Sequence, residues 1–170
     1  MTKPTIKAIE TRYKGHRFRS RLEARWAVFF DAAGWDWEHE PGGFHTPLGP
    51  YLPDFLVSSF SRARSVCGRW LEVKPIEPSP VEIDKLVWVS AHNDITPFAE
   101  LVIGPPINHS RIEILANPDR HMLSEPGAEI RYVDSVPVLV VRGPKRDLRD
   151  SYAVAASAQA RFEYGESGAA

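Results

Sequence analysis

One cysteine in 170 residues, Cys67, leaves no partner for a disulfide within the chain and excludes a multi-cysteine zinc site. Long apolar runs are also missing. The longest, such as Trp26 to Phe30 and Val138 to Val141, are core-sized and far short of the ~20 residues that a membrane-spanning helix needs. The N-terminus has no apolar stretch of the kind a secretion signal requires, so the expectation is an intracellular, cytoplasmic protein. There is no P-loop and no Gly-x-Ser-x-Gly, so an NTPase or serine hydrolase has no footing. The six histidines show no metal-ligand spacing. Internal repeats and low-complexity segments are absent. What is present, 43% hydrophobic and 25% charged residues, suits one globular domain with a real core.

The net charge of −1 hides an asymmetry. Residues 1–26 carry eight basic residues, Lys3, Lys7, Arg12, Lys14, Arg17, Arg19, Arg21 and Arg25, against Glu10 and Glu23, a net of +6. The remainder holds 13 basic and 20 acidic residues, a net of −7. Such a split points to a polyanionic partner, although a solvated helix face accounts for charge alone equally well. Residues 1–19 read as a basic arm and 20–170 as a single domain.

Within that domain, Leu22, Trp26, Phe29 and Ala33 form one apolar stripe and predict a helix over Ser20 to Ala33, with Gly34 as its stop. Ser20 followed by Glu23 has the form of a capping box. Trp35 to Glu40 alternates like a half-buried strand. Tyr51 to Val57 reads as a second strand, with Pro53 marking an edge or a start. Ser58 to Gly68 reads as a polar loop bearing Arg62 and Arg64, and Arg69 to Lys74 as a third strand. A helix over Val81 to Ala91, strands at Glu100 to Ile103 and Arg111 to Leu115, a loop-rich 117–130 and a strand over Val136 to Arg142 follow. A helix spanning 147–162 and a short flexible tail complete the chain. The expected class is α/β (α+β): a central mixed sheet flanked by helices, in the order α-β-β-β-α-β with additional C-terminal strands and helix.

The chemistry concentrates at Pro53-Asp54 and Glu72-Val73-Lys74. Two positions apart on a strand, Glu72 and Lys74 share a face, while Leu71 and Val73 share the other. If the second and third strands pair, Asp54 comes beside them. Two carboxylates near a lysine are a device for a hard divalent cation, which takes oxygen ligands and keeps several waters. A protonated lysine orients an attacking water or stabilises charge developing on phosphorus.

Leu52-Pro53-Asp54-Phe55 followed by Trp70-Leu71-Glu72-Val73-Lys74 resembles the PD-(D/E)xK nuclease superfamily. Arg17-Phe18-Arg19-Ser20-Arg21-Leu22-Glu23-Ala24-Arg25-Trp26 resembles the opening helix of its small phage and prophage members. The segment from Ala160 to Glu166 resembles their tail. The likeness covers residues 12–104 well and the C-terminal segment loosely. It implies a restriction-endonuclease-like core and hydrolysis of DNA phosphodiesters by metal-activated water, with RNA as another substrate class. The ions it implies are one or two Mg²⁺, with Mn²⁺ as a substitute. Asp54, Glu72 and the Val73 carbonyl would be metal ligands, Lys74 the catalytic lysine, and Glu23 a further acid that binds metal or positions water. Arg12, Lys14, Arg17, Arg19, Arg21 and Arg25 would contact the phosphate backbone. Without a separate sequence-reading domain, cleavage would be structure-directed or weakly specific, or guided by a partner protein. Double-strand cutting needs two active sites, which leaves room for a homodimer.

Each residue also has a plainer reading. Glu23 is placed to cap its helix or to pair with Arg19, Asp54 to end a strand, and Glu72 with Lys74 to form a surface ion pair. The competing function is a nucleic-acid-binding module with a nuclease-like fold and little or no catalysis. A glycoside hydrolase with two carboxylates is weaker, because it has no use for Lys74 or for a basic arm.

Overall fold

Thr11 and Tyr13 face one way across a Lys14-Gly15 turn, and His16 and Phe18 answer them. In the computed structural model, which describes residues 8–60, 66–118, 128–143 and 151–164, this pattern makes a hairpin of β1 (Thr11–Tyr13) and β2 (His16–Phe18). Lys14 and Gly15 both take positive φ, 47° and 80°, as a tight hairpin turn demands. Thr11 and Phe18 are fully buried. The stretch expected as an arm is thus folded onto the domain from Thr11 onward, and residues 1–7 lie outside the described residues. The pattern is two strands of three residues, too short for periodicity to announce.

Ser20 caps the first helix, its hydroxyl accepting the Glu23 N–H at 3.2 Å, and α1 runs Arg21–Ala33. Gly34, at φ 69°, ends it in the left-handed conformation. Strands β3 (Asp36–His39), β4 (Phe44–Thr46), β5 (Gly49–Tyr51), β6 (Phe55–Phe60) and β7 (Val66–Lys74) follow. After α2 (Pro80–Ala91) come β8 (Phe98–Ile103), β9 (Ser110–Ala116), β10 (Ala128–Val133) and β11 (Val136–Gly143). α3 (Ser151–Gln159) and β12 (Glu163–Tyr164) complete the described chain.

The main sheet has seven strands in the order β10-β11-β9-β8-β7-β6-β3. β3, β6 and β7 form the antiparallel meander read from the sequence. β7 and β8 are parallel, and α2 supplies the crossover that a parallel pair needs. The fold is therefore mixed α/β, with a large mixed sheet and three helices among the described residues. α1 packs one face through Phe29, Phe30, Phe55, Leu71 and Val73. α2 packs the other through Leu86, Val87, Trp70, Leu101 and Ile112. No described helix is long and apolar enough to cross a membrane.

Several boundaries differ from the sequence reading. The polar stretch Ser58 to Gly68 is strand at both ends, because β6 continues to Phe60 and β7 starts at Val66; Arg62 and Arg64 lie outside the described residues. Tyr51 and Phe55 belong to different strands, separated at Pro53-Asp54. β4 and β5 form a separate hairpin, and β10 occupies the end of the stretch read as loop-rich. The last helix ends at Gln159, and Glu163–Tyr164 pair with β1 instead of belonging to a tail. Alanine-rich sequence has high helix propensity, which does not mark where a helix stops.

The turn after β8 is closely constrained. Gly104 has φ +95°, and a Cβ there would lie 2.9 Å from the Asn108 carbonyl oxygen. Its own carbonyl accepts the Trp26 indole N–H at 3.1 Å. Gly104→Ala is expected to cost about 2 kcal/mol, read as a lower urea midpoint with an unchanged slope.

Candidate active site

Phe55 on β6 pairs with Leu71 on β7. The next residues outward are Asp54 and Glu72, which therefore come side by side where β6 has just begun. Buried Pro53 leads the chain in without an N–H to donate. Beyond the last paired residue, the Val73 N–H donates to Asp54 Oδ2 at 2.7 Å instead of to a β6 carbonyl. A strand residue projects its N–H and C=O to the same edge, so the Val73 carbonyl faces the same gap.

Alternation sets the other side chains. Leu71 and Val73 enter the core under α1, and Glu72 and Lys74 project to the opposite face. Glu72 is buried, with Oε1 2.8 Å from Lys74 Nζ and Oε2 accepting the Tyr51 hydroxyl at 3.0 Å. Lys74 Nζ also reaches Glu82 Oε1 at 2.9 Å. Glu82 is the reciprocal member of the Ser79 capping box of α2, so helix initiation and lysine placement share one carboxylate. Burial works against the charge of Lys74, but Glu72 and Glu82 outweigh it and push the amine up to about 12. Burial likewise opposes the charge of Glu82, yet Lys74 and Ser79 pull it down to about 2.

Glu23 enters from α1. Its carboxylate accepts the Ser20 hydroxyl at 2.7 Å and the Arg19 N–H at 3.2 Å. The capping role read from the sequence is therefore present, with the return bond made to Arg19 instead of Ser20. The Arg19 guanidinium does not pair with Glu23. It lies 2.6 Å from Asp54 Oδ1 and 2.7 Å from Glu40 Oε1. Burial, then the charges of Glu72 and Glu23, push the Asp54 carboxyl well above its usual value, against the pull of the Val73 N–H and Arg19.

These residues meet in a cleft of about 630 Å³. Glu23, Asp54, Glu72 and Lys74 line it, together with Arg19, Arg21 and Arg25. Ile9, Pro105 and Ile107 give it an apolar wall. Arg25 also has a structural duty, since its guanidinium lies 3.3 Å from the Ser157 and Ala158 carbonyls near the end of α3. Arg12, Lys14 and Arg17 do not line the cleft. They sit on the β1–β2 hairpin, exposed, with Arg12 and Arg17 opposite each other. Lys14 pairs with Asp31 at 2.9 Å and Arg17 with Glu10 at 2.5 Å. Exposed pairs of this kind contribute little and exchange readily for another anion.

Among the described residues, no three His, Cys, Asp or Glu side chains form a ready metal cage. The set that fits a hard dication is Asp54, Glu72 and the Val73 carbonyl, oxygen throughout. Mg²⁺ accepts so few protein ligands because water and substrate phosphate fill the rest. The negative charge crowded around Asp54 is what such an ion neutralises.

Sequence reasoning missed Tyr51, Glu82, Glu40 and His39. The Ser79-x-x-Glu82 spacing is the one local signal that could have marked Glu82, as a helix cap, but nothing local ties it to Lys74. His39 Nε2 lies 3.5 Å from Glu23 Oε2, with its ring among Phe18 and Phe55. Tyr51 holds Glu72 from the β4–β5 hairpin, and a lone Tyr near a Pro-Asp carries no motif. Tyr51→Phe removes one donor to a buried carboxylate. Its expected effect is a loss of about 1 kcal/mol of stability, measured as a lower urea midpoint with an unchanged slope.

No family model, curated protein or solved structure matches this chain.

Proposed function

We propose that this chain is a metal-dependent nuclease of PD-(D/E)xK type, with a restriction-endonuclease-like core, that hydrolyses DNA phosphodiester bonds in phage-type DNA processing. The carrying observation is that Glu23, Asp54, Glu72 and Lys74, drawn from a helix, a strand entry and a strand end, all line one cleft. Three arginines of the first helix region line the same cleft, and that supports a phosphodiester as the occupant.

Asp54, Glu72 and the Val73 carbonyl would hold Mg²⁺ or Mn²⁺. When bound, the ion lowers the pKa of water and neutralises charge on the phosphoryl oxygens. Lys74 stays protonated at neutral pH, because its amine is pushed up to about 12. It therefore serves as a donor, orienting the attacking water or the developing oxyanion, and not as a base. Glu72 and Glu82 hold its Nζ from two sides, so its orientation is fixed before substrate arrives. Arg19 and Arg21 reach the phosphates from the start of α1, whose first N–H groups also favour anions. Salt between 50 and 200 mM is expected to weaken DNA binding steeply.

A second reading, a binding module with little catalysis, is favoured by one observation: both oxygens of Asp54 and both of Glu72 already have protein donors. A cleavage panel of duplex, single-stranded, nicked, flap and four-way-junction DNA and of RNA, with Mg²⁺, Mn²⁺ or EDTA, separates the two. The nuclease reading expects metal-dependent cleavage of at least one DNA form, lost in EDTA. Salt-sensitive binding with no cleavage on any substrate would establish the second reading instead.

A further inference from the structure

Arg19 has an unusual pair of commitments for a surface residue. Its side chain is 56% exposed, yet Nη2 lies 2.6 Å from buried Asp54 Oδ1 while Nε lies 2.7 Å from Glu40 Oε1. The other Asp54 oxygen is held by the Val73 backbone N–H at 2.7 Å. Asp54 thus has two donors of opposite character. The Val73 amide is fixed in a central strand. The guanidinium ends a long side chain immediately before a helix N-cap, and it can turn away from Asp54 while its charge stays beside Glu40.

An Mg²⁺ ion binds oxygen at about 2.0–2.1 Å and repels a guanidinium on the same oxygen. Whatever binds at Asp54 Oδ1 therefore competes with Nη2. Arg19 also lines the cleft in which a phosphodiester would lie. Its planar fork matches phosphate as well as it matches carboxylate.

On the nuclease reading, we infer that Arg19 exchanges partners: it neutralises Asp54 while the ion is absent, yields Oδ1 to a divalent cation, and then turns to the substrate phosphate. Glu40 is the pivot. Metal and DNA consequently help each other bind. The ion releases Arg19 for the phosphate, and the phosphate draws Arg19 away from Asp54. The coupling is reciprocal by linkage.

The test uses the full chain and Mg²⁺ alone, titrated by calorimetry, in the unaltered protein, Arg19→Gln and Arg19→Lys. Arg19→Gln is expected to bind Mg²⁺ about tenfold more tightly, and Arg19→Lys to stay near the unaltered chain. In a Lys74→Met background, which keeps the DNA intact, a labelled oligonucleotide measured with and without Mg²⁺ gives the coupling. Arg19→Gln should weaken DNA binding and shrink its Mg²⁺ dependence. Equal or weaker Mg²⁺ binding by Arg19→Gln overturns the exchange, as does an equal gain in Arg19→Lys. If the unaltered chain binds neither Mg²⁺ nor Mn²⁺, the metal site itself falls, and the exchange with it.

Discussion

If the chain is the nuclease proposed above, replacing Lys74 by methionine slows DNA cleavage by about 10³-fold, the scale of losing one preorganised donor to a developing oxyanion. The fold should survive. Lys74 stands at the end of β7 on the face away from the α1 core, and methionine keeps most of its stem. Glu72 retains the Tyr51 hydroxyl but loses its ammonium partner. The melting temperature should therefore fall only modestly, by roughly 2–4 °C for about 1 kcal/mol in a chain of this size. Mg²⁺ binding should be kept or strengthened, because a positive charge has left the site. The pH profile separates a donor from a base. With its amine pushed up to about 12, Lys74 contributes no ascending limb near neutrality in the unaltered chain. Cleavage by Lys74→Met within tenfold of the unaltered rate removes Lys74 from the chemistry.

Asp54→Asn should abolish cleavage and produce an opposite effect on stability. Burial and the neighbouring acids Glu72 and Glu23 raise the Asp54 carboxyl in the folded state. The folded chain then holds its proton more tightly than the unfolded chain does. Below the ordinary carboxylate range both states are protonated and the group costs nothing. As pH rises from there through the folded value, the unfolded state releases the proton first, and the metal-free protein loses stability. Asparagine cannot ionise, so the difference in melting temperature between variant and unaltered chain should grow in favour of the variant with rising pH. Added Mg²⁺ should raise the melting temperature of the unaltered chain and leave the variant where it is. A variant that is uniformly less stable at every pH, and still shifted by Mg²⁺, would remove Asp54 from the ligand set. Groups kept for a function frequently cost the fold something, and Asp54 is the place in this chain to look for it.

How much of this was legible in the sequence depended on the range of the interaction. The stripe of Leu22, Trp26 and Phe29, the Ser20 cap and the Gly34 stop are contacts within one helix, and α1 appears where they put it. The side-by-side placement of Glu72 and Lys74 follows from strand alternation alone. The neighbourhood of Asp54 and Glu72 required only that successive strands pair. Register is where sequence reading ended, because the Phe55–Leu71 pairing decides which acid faces Asp54, and register is set by packing across the whole sheet. The partners of Lys74 and Arg19 were less accessible still. Arg19 is spaced to pair with Glu23 along a helix, yet it lies two residues before α1 begins and reaches Asp54, 35 positions away. Tyr51 reaches Glu72 across 21 positions. The three-residue hairpin strands at the start of the described chain are too brief to show a period at all.

The closure of α1 by α3 has a consequence for how the protein is made. Arg25 and Ser157 bond to each other's backbone carbonyls across 132 residues of sequence. Beside them, Thr11 pairs with Tyr164. On a ribosome the first helix emerges early, and the strands of the main sheet all emerge ahead of α3 and β12. The layer that begins the chain is thus the last to be finished. Its closure waits on the longest loop in the fold, where the entropic cost of bringing the ends together is largest.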